Sequence, residues 1–295
     1  MARLKVLKTY KLYIGGAFPR TESGRFYQPI NSEGNAIANM CLASRKDFRN
    51  SVVTARKAAT GWSGKTAYNR SQILYRIAEM LENNRAHFEA ELISQGSTKT
   101  QSSKEVDVSI DRWVYYAGWC DKFTQVFGSI NPVAGSYFNF SSLESTGVVT
   151  AICPENGALI GPISVIAPII ASGNSVIVVS SKSKPLSSIS LAEVINNSDV
   201  PGGVVNILTG DASELLPHIG VHMDVNAIWY LGNDPKAWKQ IQLDSAENVK
   251  RVTNTNSSID LMDSRWDSAY ILKEFTEVKT TWHPIENVGA SGSGY

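Results

Sequence analysis

The strongest hydrophobic pattern in the 295-residue chain lies between positions 148 and 179. Val148 to Ile152 is a β-branched run of strand length. Pro162 to Ser172 is apolar over the length of a helix, Gly173-Asn174 ends that helix, and Ser175 to Val179 is a second apolar strand. A strand, a buried helix and another strand form a βαβ unit, which requires a parallel sheet that is covered on both faces.

Strands and helices continue to alternate after this unit. The pattern predicts strands at Val204 to Leu208, Val225 to Leu231 and Val249 to Thr253, and helices at Leu186 to Asn196 and Pro235 to Ala246. The alternation predicts an α/β fold with a doubly wound, Rossmann-like parallel sheet. Ligands of such sheets bind at the carboxyl ends of the strands, so the turn Cys153-Pro-Glu-Asn156 is the expected ligand site.

The N-terminal part of the chain is predicted to form a hairpin and a helical layer. Tyr10 to Phe18 and Arg25 to Asn31 have the pattern of short strands around Gly and Ser turns, and we expect them to form a hairpin on the main domain. Apolar residues at helical spacing predict helices from near Ser44 to Gly61, Arg70 to Glu82, Arg85 to Ile93 and Glu105 to Phe123. The polar stretch from Lys99 to Glu105 is interpreted as a solvated loop before the last of these helices.

The pattern changes after Thr253. Asn254 to Ser258 is polar and turn-prone, and no period is sustained up to Ser268, so we interpret this part as a linker. Ser136 to Ser145 alternates like a strand, and Phe275 to Trp282 is also β-prone. The second of these strands needs a partner, because an unpaired edge is an aggregation hazard. The partner is either a strand of another chain or Ser136 to Ser145 of the same chain.

Composition excludes several classes of partner. A hydrophobic content of 43% supports a sizeable core, and a net charge of +1 gives no electrostatic case for nucleic acid or an acidic membrane. The sequence has no apolar run of about 18 residues and no signal-peptide core, and its four histidines lack metal-ligand spacing. The three widely separated cysteines, Cys41, Cys120 and Cys153, fit free thiols in a reducing compartment. We therefore expect a cytoplasmic protein without a metal site.

A set of short motifs resembles the cofactor domain of the NAD(P)-dependent aldehyde dehydrogenase superfamily. In order, they are Tyr13-Ile-Gly-Gly16, Ile152-Cys-Pro-Glu-Asn156, Gly173-Asn174, Pro185-Leu-Ser187, Pro201-Gly-Gly-Val-Val-Asn206, Thr209-Gly210 and, near the C-terminus, Phe275-Thr-Glu-Val-Lys279. The resemblance implies a cofactor domain over residues 1–253, to which 136–145 add part of an oligomerisation flap. It also implies a linker at 254–274 in place of the catalytic domain, and an oligomerisation strand with a flexible tail at 275–295.

The cofactor positions implied by the resemblance are only partly retained. The vestigial candidates for cofactor contact are Ile152, Pro154, Asn156, Gly210 and Gly232. The family usually holds the adenosine ribose with a Lys and a Glu, whereas the matching positions here are Val179 and Lys182. We therefore expect no bound cofactor, with NAD as the alternative.

The catalytic positions implied by the resemblance depart further from the family. The family's nucleophile lies in a Gly-Gln-x-Cys context that does not occur in this sequence, and all three cysteines are interpreted as structural. Thr255 stands where the family has its general base. Asn156 matches the oxyanion donor, but Glu155 replaces the aromatic residue before it, so Asn156 is interpreted as a turn residue. No catalytic residue is assigned.

The assembly positions are better retained than the catalytic ones. The resemblance assigns oligomerisation to Phe275, Thr276, Glu277, Val278, Lys279, Thr280, Thr281 and Trp282. The chain also resembles the non-catalytic C-terminal half of family-16 aldehyde dehydrogenases. This resemblance implies a pseudoenzyme that stabilises or scaffolds an active aldehyde dehydrogenase. Two alternatives stay open. One is an NAD(P)-binding subunit whose active site a partner completes, and the other is a structural homo-oligomer.

Overall fold

The apolar run between positions 148 and 179 forms the centre of the fold in the computed structural model, which describes residues 6–255 and 260–285. Strands and helices alternate along most of the chain. In chain order they are β1 (Thr9–Tyr10), β2 (Phe26–Tyr27), β3 (Asn39–Cys41), α1 (Arg45–Ser63), α2 (Ala67–Asn83), α3 (Arg85–Ser94), α4 (Lys99–Trp119), α5 (Phe123–Phe127), β4 (Ser129–Asn131), β5 (Tyr137–Ser145), β6 (Val148–Ile152), α6 (Ile160–Ala171), β7 (Ser175–Val179), α7 (Leu186–Asn196), β8 (Val205–Leu208), α8 (Ala212–Gly220), β9 (Ala227–Tyr230), α9 (Pro235–Ala246), β10 (Arg251–Asn254), α10 (Ala269–Glu274) and β11 (Thr276–Pro284).

The predicted doubly wound parallel sheet is confirmed. Its strand order is β10-β9-β6-β7-β8, and every neighbouring pair is parallel. Every residue of β6, β7, β8 and β9 is buried, because helices cover both faces. Val149 and Ala151 face the core shared with α2, α4, α6 and α7, whereas Val148 and Ile152 face the core shared with α1, α8 and α9. Alternation along one strand thus supplies two hydrophobic cores.

The predicted N-terminal hairpin is wrong. β1 and β2 do not pair with each other. Instead, β1 pairs with β3 in the parallel direction, and β2 pairs with β3 in the antiparallel direction. The rest of the expected first strand lies on the central sheet instead, where Tyr13 and Ile207 exchange backbone hydrogen bonds of 3.0 and 2.8 Å. The edge strand β8 offers unpaired backbone groups there, and that pairing outcompetes a local hairpin. β3 was not predicted, since a strand of only three residues has too short a hydrophobic pattern.

The stretch from Lys99 to Glu105, which we expected to be a solvated loop, is the start of α4. Thr98 and Gln101 form a capping box at this end, with hydrogen bonds of 3.0 and 3.2 Å. Glu105 is buried, and its Oε1 accepts the backbone N–H groups of Leu159 and Ile160 at 2.9 and 3.1 Å. Glu105 therefore stabilises the N-terminus of α6 and is not solvated as expected.

The described part of the segment expected to be a linker packs against the main core. Residues 264–266 form a turn of 3₁₀ helix, and α10 follows. Leu261 and Trp266 are buried in the same core as α4 and α6. Leu261 lies so close to Gly157 that a Cβ atom there would be 2.4 Å from Leu261 Cδ1. This packing fixes the segment over the loop that follows β6.

The predicted strands near residues 140 and 280 pair within the chain. They form a three-stranded antiparallel sheet, the flap, with the order β11-β5-β4. β11 pairs with β5 from Thr276↔Ser145 to Pro284↔Tyr137. Phe275 precedes the strand and is buried, while its carbonyl accepts hydrogen bonds from Thr146 N and Asn174 Nδ2. The predicted flexible tail, Gly289 to Tyr295, lies outside the described residues.

Candidate functional site

A groove of about 500 Å³ opens at the carboxyl ends of β6 and β9, between α8 and α9. Four of the five expected cofactor-contact residues line it, and these are Ile152, Pro154, Asn156 and Gly232. Its walls are apolar side chains of the two helices, namely Ala212, Leu216 and Ala237. The groove lies at the edge of the sheet where ligands of α/β folds bind. The contact roles of these residues remain predictions.

The fifth residue, Gly210, is required by packing. Its φ is +136°, and a Cβ atom there would lie 2.9 Å from Leu42 Cδ1 and 3.1 Å from Ala43 N. Gly232 is constrained in a similar way, because a Cβ atom would be 2.5 Å from the Tyr230 ring. The close approach of neighbouring groups therefore accounts for both glycines, whether or not a ligand binds.

The two helices that border the groove have their N-termini capped by carboxylates of the chain. Asp211 accepts the backbone N–H of Ser213 at 2.9 Å at the start of α8, and Asp234 accepts that of Lys236 at 2.8 Å at the start of α9. Lys182 Nζ donates to Asp211 at 2.7 Å, and this bond lowers the pKa of Asp211 to about 2. A helix N-terminus attracts anions, and a carboxylate already occupies each of these two.

Glu155 fills a third polar position beside the groove. Its carboxylate accepts hydrogen bonds from the Ser181 and Ser183 hydroxyls and from the backbone N–H groups of Lys182 and Ser183. Burial by itself raises the pKa of Glu155, but the hydrogen bonds from Ser183, Lys182 and Ser181 outweigh burial and hold the pKa below its usual value. Glu155 is thus an ionised side chain tied to the loop after β7.

The position implied for a general base lies beyond the residues that line the groove. Trp229 Nε1 donates to Thr255 Oγ1 at 2.8 Å, so the Thr255 hydroxyl acts as an acceptor for a neighbouring indole. Tyr230 stacks on Trp238 with ring centroids 6.2 Å apart and an interplanar angle of 7°. Neither arrangement provides a side chain that accepts a proton from water near neutral pH.

The three cysteines are buried and free. Burial raises the pKa of the Cys120 thiol to about 12, and burial also raises the pKa of the Cys153 thiol. A thiol needs a lowered pKa to act as a nucleophile near neutral pH. Cys153 lines the groove, but it is protonated there. The geometry supports the structural interpretation of these two residues.

Two features are absent from residues 6–255 and 260–285. Within those ranges, no three His, Cys, Asp or Glu side chains come together in a way that could hold a metal ion. None of the helices in the same ranges combines the length and the apolar character needed to span a membrane.

Sequence reasoning missed the carboxylates around the groove. The signal for Asp234 was present, since Asp followed by Pro at the start of an apolar-periodic segment is typical of a helix N-cap. Asp211 precedes α8 in the same way, but α8 itself was not predicted. The contacts of Glu155 had no local signal, because its partners lie 26 to 28 residues later in the chain.

The outermost strand of the flap, β11, exposes apolar side chains to solvent. Val278 and Trp282 of β11 are 63% and 59% exposed. They project from one face of the strand, because they are four residues apart, and Trp282 meets Tyr137 edge-on at 5.7 Å. Phe275 and Thr276, also predicted to take part in oligomerisation, are buried and anchor the strand. In the parts of the chain that the structure describes, no strand pairs with the outer edge of β11.

Comparison with known proteins adds to this geometry. A sequence model of the aldehyde dehydrogenase family matches residues 19–257. The putative aldehyde dehydrogenase DhaS of Bacillus subtilis is 32% identical over 253 residues, which are 83% of this chain and 50% of that protein. The cytosolic 10-formyltetrahydrofolate dehydrogenase of Xenopus tropicalis is 31% identical over 83% of this chain and 28% of its own length. The chain thus spans half or less of the length of these relatives.

Solved structures show the same partial likeness. The NAD⁺ complex of an aldehyde dehydrogenase from Bacillus cereus superposes with a TM-score of 0.79 and 25% identity, over 84% of this chain and 50% of that one. A variant of betaine aldehyde dehydrogenase from Staphylococcus aureus, also in complex with NAD⁺, gives a TM-score of 0.78 and 25% identity over 83% and 50%. The described fold therefore corresponds to about half of each of these structures.

Proposed function

Because the chain belongs to the aldehyde dehydrogenase family, we propose that it is a non-catalytic subunit that assembles with an aldehyde dehydrogenase through its flap. The observation that carries this proposal is the edge strand β11, which exposes Val278 and Trp282 and whose outer edge pairs with no strand of residues 6–255 and 260–285. A long exposed edge of this kind favours the addition of a strand from another subunit. The role of the chain in such an assembly is to stabilise or scaffold the active subunit.

The environments of Thr255, Cys120 and Cys153 support the non-catalytic part of the proposal. Thr255 occupies the position implied for the general base, and its hydroxyl is bonded to Trp229. The thiols of Cys120 and Cys153 are protonated and buried. These features belong to residues of this chain and do not depend on any further segment. The buried free thiols also support a reducing, cytoplasmic location.

Replacing Val278 and Trp282 together with aspartate is expected to abolish assembly. Both side chains are more than half exposed in the single chain, so the fold is retained, whereas two unpaired carboxylates inside a subunit interface carry a large desolvation cost. After co-expression with a full-length aldehyde dehydrogenase, light scattering coupled to size-exclusion chromatography should give the mass of one chain, 32.2 kDa, for this variant and a larger mass for the wild type.

The matched control replaces Val221 and Leu243 with aspartate. These residues are 53% and 57% exposed, and they belong to the helical layer, Val221 at the end of α8 and Leu243 in α9. The control should keep the mass of the wild type. If the flap variant stayed assembled, or if the control dissociated equally, the flap would not be the assembly surface.

A second candidate function is favoured by the groove itself. Two solved relatives with the same fold are NAD⁺ complexes, and the corresponding edge of the sheet is open in this chain. The candidate is an NAD(P)-binding oxidoreductase subunit whose active site a partner completes. Calorimetric titration of the wild-type chain with NAD and NADP distinguishes the two candidate functions. Binding with a Kd below about 1 mM would favour this second function, whereas the pseudoenzyme proposal predicts no such binding.

A further inference from the structure

The loop after β7 holds the Glu155 side chain by both oxygens. Glu155 Oε2 lies 2.9 Å from Ser181 Oγ, 2.7 Å from Ser183 Oγ and 3.0 Å from Ser183 N. Its Oε1 lies 3.1 Å from Lys182 N. Two hydroxyls and two backbone amides therefore converge on one carboxylate that comes from a different loop.

Such a set of donors is not specific for a carboxylate. Backbone N–H groups and serine hydroxyls that point to a common centre bind the oxygens of phosphate groups by the same charge-assisted hydrogen bonds. Lys182 adds a positive charge next to this centre, and its Nζ is bonded to Asp211. Because Glu155 also lines the groove, an anion that replaced its carboxylate would lie at the groove's edge.

We propose that residues 181–183 form an anion site, that the chain's own Glu155 keeps this site filled, and that Glu155 thereby excludes phosphomonoester groups from the groove. The inference rests on the proposed function and deepens it, since it gives a physical reason for the groove to reject a cofactor that carries a phosphomonoester. Glu155 acts as an intramolecular competitor. A tethered group has an effective concentration on the order of millimolar or more, so an external phosphate must displace it before binding.

The test is a gain of binding in Glu155→Ala. Inorganic phosphate, titrated by calorimetry, is expected to bind this variant at least about tenfold more tightly than the wild type, because the four donors are left without their acceptor. Adenosine monophosphate should show a similar gain, and adenosine without phosphate should show none. A second substitution, Ser183→Ala, should remove most of the gain, since it deletes one of the converging hydroxyls.

Asp234→Asn is the matched control. It removes one negative charge from the same groove and retains a good N-cap for α9, but it leaves the 181–183 loop filled. Phosphate affinity should change less than about twofold in this variant. If Asp234→Asn gained as much phosphate affinity as Glu155→Ala, the charge of the groove alone would determine phosphate binding, and the proposal would be wrong. No gain of phosphate affinity in Glu155→Ala would also overturn the proposal.

Glu155→Gln provides a second variant in case the alanine variant is poorly folded. It keeps the shape of the side chain and loses the charge, so its phosphate affinity should lie between those of the wild type and the alanine variant. Equal affinity of wild type and Glu155→Gln in folded protein would also count against the proposal. None of these measurements depends on the mass of the assembly, so failure here is distinguishable from failure of the proposed assembly function.

Discussion

Replacing Arg112 with methionine should lower the free energy of unfolding by about 3 kcal/mol, at the lower end of the cost of breaking a buried ion pair. The Arg112 side chain is completely buried, and Nε donates to the Asp267 carboxylate at 3.0 Å. Its Nη1 donates to Ser164 Oγ at 2.6 Å and to the Leu261 carbonyl at 2.8 Å. Methionine fills similar volume but leaves these acceptors without a donor. Chemical denaturation followed by circular dichroism measures the loss.

The same substitution should release the segment from 260 to 268. That segment is held by Arg112 on one side and by Leu261 and Trp266 in the core on the other. Limited proteolysis should cut it in Arg112→Met before the rest of the domain unfolds.

Arg265→Met is the matched control for this experiment. It makes the same substitution within the segment from 260 to 268. Arg265, however, is 68% exposed, and its ion pair with Asp263 lies at the protein surface. The control should unfold within about 0.5 kcal/mol of the wild type. Equal stability of the two variants would show that Arg112 does not hold the segment.

Replacing Asn174 with alanine should lower the free energy of unfolding by about 2–4 kcal/mol, because it leaves buried polar groups unpaired. Asn174 is fully buried, and its Oδ1 accepts the backbone N–H of Gly147 at 2.7 Å. Its Nδ2 donates to the Phe275 carbonyl at 2.8 Å and to Ser172 Oγ at 2.9 Å. One side chain thus joins the start of β6, the end of α6 and the entry to β11. Thermal and urea unfolding give the stability change.

Because Asn174 holds the residue that precedes β11, the substitution should also weaken assembly through the flap. The control is Asn233→Ala, since Asn233 is exposed and its side chain makes no hydrogen bond with any residue in the described ranges. That control should change stability by less than about 0.5 kcal/mol. Loss of stability without loss of assembled mass would separate the two roles and confine Asn174 to the core.

The central βαβ unit could be predicted because its residues carry their own signal. Val148 to Ile152 and Ser175 to Val179 are apolar at nearly every position and rich in β-branched residues, which is typical of a strand buried on both faces. The start of α4 could not be predicted in this way. Its polar residues looked solvated, yet Glu105 bonds to the N-terminus of α6 more than 50 residues later. Local polarity does not reveal a partner so distant in sequence.

The candidate site shows the same division. The turn from Cys153 to Asn156 was predicted from its place after a strand, and four of the five expected contact residues do line one groove. The hydrogen-bond partners of the polar side chains at the groove could not be predicted. Glu155 meets Ser181 and Ser183 only because β6 and β7 are neighbours in the sheet, and sequence spacing alone does not show the direction of a side chain.

The flap was predicted in part from pattern and in part from the family resemblance. The strand pattern of residues 136–145 and 275–282 left two partners open, another chain or each other, and the structure shows nine residue pairs within the chain. That pairing uses one edge of β11. The other edge pairs with no strand of the described residues, and this edge, together with Val278 and Trp282 on one face of the strand, is the surface on which the proposed function depends.

The most direct measurement of that function is the molar mass of the wild-type chain, purified alone and after co-expression with a full-length aldehyde dehydrogenase. Assembly through β11 predicts a species heavier than 32.2 kDa that contains the chain and disappears in the Val278/Trp282 aspartate variant. A chain that elutes at 32.2 kDa in both preparations, separate from the enzyme at every concentration, would contradict it.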